Sequence, residues 1–378
     1  MNQSAGDFDY AFTIREGFFV CEDRSYKLVR ELPPRFVEDV RAQLGTRATI
    51  EKRGACIEVT SQRFLLAPEP VMDMPFLRDS LASIAESHGL RLLVAGTHPL
   101  GTSTESPASE RRDSGERLAD LRIVEQAQQT CGLRVQVSIP SGIDRVALMN
   151  RSIPWLPLFL ALSTSSPFWN GSLGGLLSCR QARFDQWPYG GTSDFLARNT
   201  TALELNISDA CTRVEDSVAI ANLFRCHVSA LVRNFQAGAD HTPRTYAIAG
   251  ENRSRAKRDG MDAQFISDDP ASTVSVRRLL ARFLDSLETE IARFGCGPIL
   301  TTLVDIANAG TSAHEQLRIY ERSRSAGHSH HAALESVLQW LTLKVPGRQI
   351  GKTSRSAGAL FDAMTKAGFV TAEAVGHR

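Results

Sequence analysis

Gly-Leu-Arg-Val-Gln-Val-Ser-Ile, residues 132–139, alternates Leu133, Val135, Val137 and Ile139 with Arg134, Gln136 and Ser138. A two-residue period marks a strand with one buried and one polar face. Residues 203–207 repeat it, with Glu204 and Asn206 on the polar side. Between the two lies Leu-Ala-Leu-Ser-Thr-Ser-Ser-Pro-Phe-Trp, residues 160–169, and the segment closes at Asp209. Residues 11–21, 55–61 and 91–95 read as further strands, being short and apolar or rich in β-branched and aromatic residues.

Helical spacing appears at 72–88, 111–129, 212–235, 272–294 and 331–343. In the third, Thr212 and Glu215 form a candidate capping box. Turn-forming residues mark loops at 101–109, 189–193 and 237–245. Strands separated by pairs of long helices predict an α+β fold rather than a doubly wound sheet. No glycine-rich phosphate loop follows a strand, which excludes the Rossmann and Walker readings.

Composition sets the outer bounds. The chain has 378 residues, 42% hydrophobic and 22% charged, with a formal net charge of +1. That balance gives no reason to expect nucleic acid as a partner. Seven cysteines, none in a Cys-x-x-Cys pair, read as buried thiols in a reducing compartment. Residues 1–10 are polar and acidic, unlike a signal peptide. The most apolar run, 153–162, holds Pro154 and Pro157 and falls well short of the roughly 20 residues that span a bilayer. The expectation is a cytoplasmic protein with no membrane partner. Residues 1–343 read as one domain. Residues 344–378 read as a basic tail with a short helix near 357–366.

The ordered landmarks Gly96-Thr97-His98-Pro99, Glu110-Arg111, residues 163–168, Arg180, Phe184, Glu204, Asp209, Asn252-Arg253, Arg258, Gly260 and Gly310-Thr311-Ser312-Ala313 resemble the ATP-dependent carboxylate–amine ligases grouped with the type 2 glutamate–cysteine ligases. The resemblance runs from about residue 12 to about 343. It implies a glutamine-synthetase-like fold, in which a curved antiparallel sheet forms a funnel covered by helices. It also implies an ATP-dependent reaction: a substrate carboxylate is phosphorylated, and an amine attacks the acyl phosphate. ATP, Mg²⁺, an amino-acid substrate and an amine acceptor follow from it, as does a homodimer or a dimer with a paralogue.

That chemistry demands inward carboxylates to hold Mg²⁺ and arginines to hold anions. On the resemblance, Glu58 and Glu204 are the catalytic and metal-binding candidates, and Arg180, Asn252 and Arg253 the anion binders. Arg258 reads as surface charge, His98 as architectural, and the His328, His330 and His331 cluster as incidental. Several of the family's motif positions are altered here. Its Gly-x-Glu-x-Glu falls on Thr13, Arg15 and Gly17, although a one-residue shift would bring Glu16 and Phe18 to the ligand positions. The partner of Glu58 is Gly54. A His-x-His strand is Arg134-Val135-Gln136. The arginine of Glu-x-Arg is Asn206, and another family arginine falls at Glu315. An insert of several tens of residues with an Asp-x-Arg-Pro stretch is reduced to residues 196–201. Two functions stand first, beside a third in which the shortened funnel wall opens the pocket to a different ligase reaction. One is a ligase of weak glutamate–cysteine type. The other is a degenerate binding or regulatory homologue in which Arg15 pairs with Glu58 or Glu204 and replaces the ion's charge.

Overall fold

The computed structural model describes residues 9–50, 55–101, 130–185, 202–235, 242–267 and 272–343. In chain order the elements are β1 (Phe12–Glu22), α1 (Pro34–Leu44), β2 (Ala48–Ile50), β3 (Cys56–Thr60), α2 (Glu69–Ser87), β4 (Leu90–Leu93), β5 (Leu133–Ser138), α3 (Arg145–Ser152), α4 (Leu156–Ser163), β6 (Phe168–Trp169), β7 (Ser172–Leu173), α5 (Cys179–Asp185), β8 (Ala202–Leu205), α6 (Val214–Arg233), α7 (Pro243–Asp259), β9 (Gln264–Ile266), β10 (Thr273–Ser275), α8 (Val276–Ser286), α9 (Glu288–Phe294), α10 (Gly297–Ala309), α11 (Ser312–Ser325) and α12 (His330–Leu343).

A six-stranded sheet runs β2-β3-β1-β5-β8, with β4 also paired to β1. Every pairing is antiparallel, and β3 lies along one edge of β1 while β5 and β4 follow each other along the opposite edge. The α+β architecture with an antiparallel sheet expected from the sequence is therefore present, the sheet open rather than closed. Each predicted strand lies within two residues of an observed one.

One face of the sheet is apolar and packs on α2 and α6. Phe12, Ile14 and Phe18 of β1 and Val135 and Val137 of β5 are fully or almost fully buried there. So is one acid: Glu16, with no exposed surface. Its carboxylate accepts two hydrogen bonds from Arg78 of α2, from Nε at 2.9 Å and from Nη2 at 2.7 Å. Arg78 also donates to the carbonyls of Thr212 and Cys211, each at 2.8 Å, just ahead of α6. Burial works against its charge, but Glu16 beside it holds the guanidinium protonated. One ion pair thus joins β1, α2 and the entry to α6. It also places residue 16 on the helix side, so the one-residue shift considered for the first acidic motif does not occur.

Local chemistry explains the other departures. Thr212 does not cap α6; its hydroxyl donates to Val94 O at 2.8 Å and meets Ser312 Oγ at 2.5 Å. The helix expected at 272–294 is strand β10 followed by α8 and α9. Ser275 Oγ accepts from Arg278 N and caps α8, and the helix breaks at Leu287. Residues 145–163 form a helical run as long and apolar as a membrane span. Pro154 and Pro157 interrupt it with a 3₁₀ turn at Ile153–Trp155, and all of Leu156–Ser163 is buried in the protein. It is a core helix. The helix at 111–129, the loop at 189–193, most of the loops at 101–109 and 237–245, and the tail at 344–378 lie outside the described residues.

Arg78→Met leaves Glu16 as an uncompensated buried charge, and it should lower unfolding free energy in urea by about 3–5 kcal/mol. Glu16→Leu combined with Arg78→Met should recover most of that loss. A double variant as unstable as the single one would contradict the pairing.

Candidate functional site

Because residue 16 faces the helices, Thr13, Arg15 and Gly17 face the opposite side. The register extends this face across four strands. Arg15 lies opposite Thr60 on β3 and Arg134 on β5, Gly17 opposite Glu58, and Gln136 opposite both Thr13 and Glu204. Glu58 and Glu204 therefore share a face, as their place in polar strand patterns suggests, but not a point. Two strands lie between them, a lateral separation of about 14 Å at the usual strand spacing.

Each glutamate already has a partner. Glu58 sits between two arginines, with Oε1 4.0 Å from Arg15 Nη1 and Oε2 3.6 Å from Arg134 Nη1. The Arg15 and Arg134 side chains remain about a third exposed. Glu204, which is buried, accepts a hydrogen bond from Gln136 Nε2. Opposite Glu58, a side chain at position 17 would press on Cys131. A Cβ built on Gly17 would lie 3.0 Å from Cys131 Cβ and 3.2 Å from its Sγ.

Arg180 approaches the Gly132 end of β5, where a Cβ on Gly132 would meet its Nη2. It is buried beside Asp209, with Nη1 3.8 Å from Oδ1, and its guanidinium lies over the Phe184 ring. Burial pushes its pKa down to about 10, opposed by Asp209 and assisted by the charge of Arg134. Asp209 is the centre of a polar knot. It accepts from Ser165 N at 3.0 Å, Ser166 Oγ at 2.6 Å and Ser178 Oγ at 2.9 Å. Gly96 and Gly132 are small for this reason, since a Cβ at Gly96 would meet Asp209 Cγ at 2.6 Å and one at Gly132 would meet Arg180 Nη2 at 2.4 Å. The knot extends to α11. Gln316 Nε2 donates to Ser165 O at 2.7 Å, and the hydroxyls of Thr164 and Thr311 meet at 2.7 Å. Most landmarks of the resemblance therefore hold the scaffold together.

Asn252, expected to bind anions, is committed to backbone. Its Nδ2 donates to Ile266 O at 2.9 Å, and its Oδ1 accepts from Ile266 N at 2.7 Å, fastening α7 to β9. Arg253 and Lys257 both pair with Asp185 at the end of α5, Arg253 at 3.0 Å. Arg258 pairs with Asp259 on the surface. His98 is buried on Tyr26 O, and burial pushes its pKa down to about 4, which suits an architectural role. His328, His330 and His331 contact Ser323, Tyr320 and Glu335 respectively, and not one another's ligand sets. Glu315 holds Arg318 and Arg322.

A family model described as glutamate-cysteine ligase family 2 matches residues 16–200 and 192–339. The chain belongs to that family. Its two matched segments overlap at 192–200. A relative from Ectopseudomonas mendocina, provisionally named glutamate–cysteine ligase 2, is 33% identical over 87% of this chain and 95% of its own. Another so named, from Bradyrhizobium diazoefficiens, is 31% identical over 83% and 81%. Among solved structures, glutamate–cysteine ligase from Francisella tularensis in complex with AMP gives a TM-score of 0.62 at 10% identity, covering 98% of this chain and 96% of that one. The ligase PafA in complex with the ubiquitin-like protein Pup gives 0.57 at 11% identity, covering 97% and 77%. These two share the fold.

Magnesium, which the ligase family implies, does not fit the face described above. A hard dication needs converging oxygen ligands. Glu58 is flanked by two cations, Glu204 lies three strands away, and among the described residues no group of three or more His, Cys, Asp or Glu converges. Glu58 and Glu204 stay on one face with two strands between them. An anion, by contrast, fits two guanidiniums on neighbouring strands. Arg134 was visible in the sequence only as a missing histidine. The signal for it was the alternation of 133–139, which puts Arg134 on the same face as Arg15.

Asn252→Ala should cost about 1–3 kcal/mol in urea denaturation, the penalty for unpaired buried backbone groups, and leave anion binding to the folded protein unchanged. A loss of binding without a loss of stability would restore Asn252 as a ligand residue.

Proposed function

We propose that this member of glutamate–cysteine ligase family 2 binds an anionic nucleotide on the open face of its sheet and has lost the magnesium-dependent ligation of glutamate to cysteine. The observation that carries this reading is the placement of Glu58 between Arg15 and Arg134. Carboxylate activation by ATP runs through metal-bridged phosphates. Here the strand positions that the ligase pattern makes acidic are Arg15 and Gly17, its histidine strand reads Arg134-Val135-Gln136, and Cys131 crowds the space a side chain at 17 would need. The AMP complex of the Francisella tularensis enzyme supports a nucleotide as the ligand on this fold. On this reading the chain works as a binding or regulatory subunit, as a homodimer or beside a catalytically complete paralogue.

One observation favours retained ligase activity. Glu204 persists, buried, on the open face, with Gln136 orienting its carboxylate. A single carboxylate with phosphate oxygens suffices for some Mg²⁺ sites, and Glu204 would be the residue to hold the ion or move the proton.

The two readings part in one assay. The purified chain is given Mg²⁺–ATP, glutamate and cysteine, and ADP release is followed. The proposal expects no amino-acid-dependent release, with nucleotide still bound in calorimetry. Amino-acid-dependent turnover that disappears in Glu204→Ala would establish the ligase instead.

A further inference from the structure

We infer that Arg15 and Arg134 take the place of the divalent ion, so that this face holds the phosphates of a nucleotide without metal. The inference rests on the nucleotide-binding reading above and specifies how the phosphates are held.

The argument begins with register. Arg15 and Arg134 are directly opposite on adjacent antiparallel strands. Like charges so placed repel each other and destabilise the pair. Glu58 supplies one negative charge for the two, so the trio keeps a net charge of +1. Nor does Glu58 saturate the two arginines. Its contacts at 3.6 and 4.0 Å are ion pairs beyond hydrogen-bond length, whereas a seated N–H to carboxylate bond measures about 2.7–2.9 Å. Arg15 Nε is enclosed with no hydrogen-bond partner. The structure thus presents two guanidinium groups with donor capacity to spare and an uncompensated charge.

Phosphate matches this arrangement. It offers several acceptor oxygens, and guanidinium binds it in a fork. A divalent cation at the same place would meet two positive charges and one carboxylate. A side chain at position 17 would crowd Cys131, whose Cβ lies 3.0 Å from where its Cβ would stand. Arg15 is different. Its side chain is about a third exposed, so an acid there is accommodated and would lie beside Glu58, giving two carboxylates on adjacent strands.

Calorimetric titration of the full chain with ADP, once in EDTA and once in excess Mg²⁺, tests this. The expected result is binding of the same strength in both buffers, within roughly twofold. Arg15→Gln and Arg134→Gln should each weaken it by roughly tenfold or more, the worth of a hydrogen bond to a charged group, with thermal melting preserved. Arg15→Glu should abolish binding in EDTA and restore it with Mg²⁺. Inorganic phosphate as titrant, competing with ADP, should report the same arginine dependence. ADP binding by the wild-type chain only in Mg²⁺ would overturn the metal replacement and leave the nucleotide reading intact. No ADP binding in either buffer would overturn both. An Arg15→Glu chain that binds ADP in EDTA as the wild type does would also overturn the inference.

Discussion

The pair of Glu16 and Arg78 is the constraint on which the remaining structure depends. Two charges with no solvent contact are tolerated because every nitrogen and oxygen of the two head groups has a partner: two bonds within the pair and two to the carbonyls of Cys211 and Thr212. A slip of β1 by one residue would exchange its faces. Glu16 would then lie on the open side, Arg78 would be stranded in the core, and Phe12, Ile14 and Phe18 would leave their contacts. The pair therefore decides that Arg15, and not an acid, stands beside Glu58.

Conserving a fold and conserving its chemistry place different demands on the sequence. Asp209, Ser165, Ser166, Ser178, Gly96 and Gly132 form one interlocked unit in which each buried acceptor has a donor and each glycine makes room for a neighbour. Changing any of them leaves an unsatisfied polar group or a clash. The open face is less tightly packed at its arginines and at Gln136. Arg15, Arg134 and Gln136 touch solvent, so they can stand where the ligase pattern has acids and histidines without cost to the core.

Much of this was legible in the sequence. The period of two at 133–139 and 203–207 located β5 and β8 and assigned Glu204 to the polar face. The helices α2, α6 and α12 followed from apolar spacing. What was not legible depended on partners far away in the chain. Thr212 resembles a cap until Val94 and Ser312 claim its hydroxyl. Asn252 and Arg180 match ligand positions in order, yet Asn252 is bound to Ile266 backbone and Arg180 to Asp209. The pairing of Arg134 with Glu58 required the cross-strand register. In α1, α4, α7 and α10 proline in the first turn reads as a break as readily as a start.

The central claim is that this face of the sheet carries cations where the ligase carries its metal. Anomalous diffraction from crystals grown with ADP and Mn²⁺ reads that directly. The account predicts Arg15 and Arg134 in contact with phosphate oxygens, Glu16 on Arg78, and no anomalous peak beside Glu58. A manganese ion ligated by Glu58, with Arg15 turned away, would contradict it.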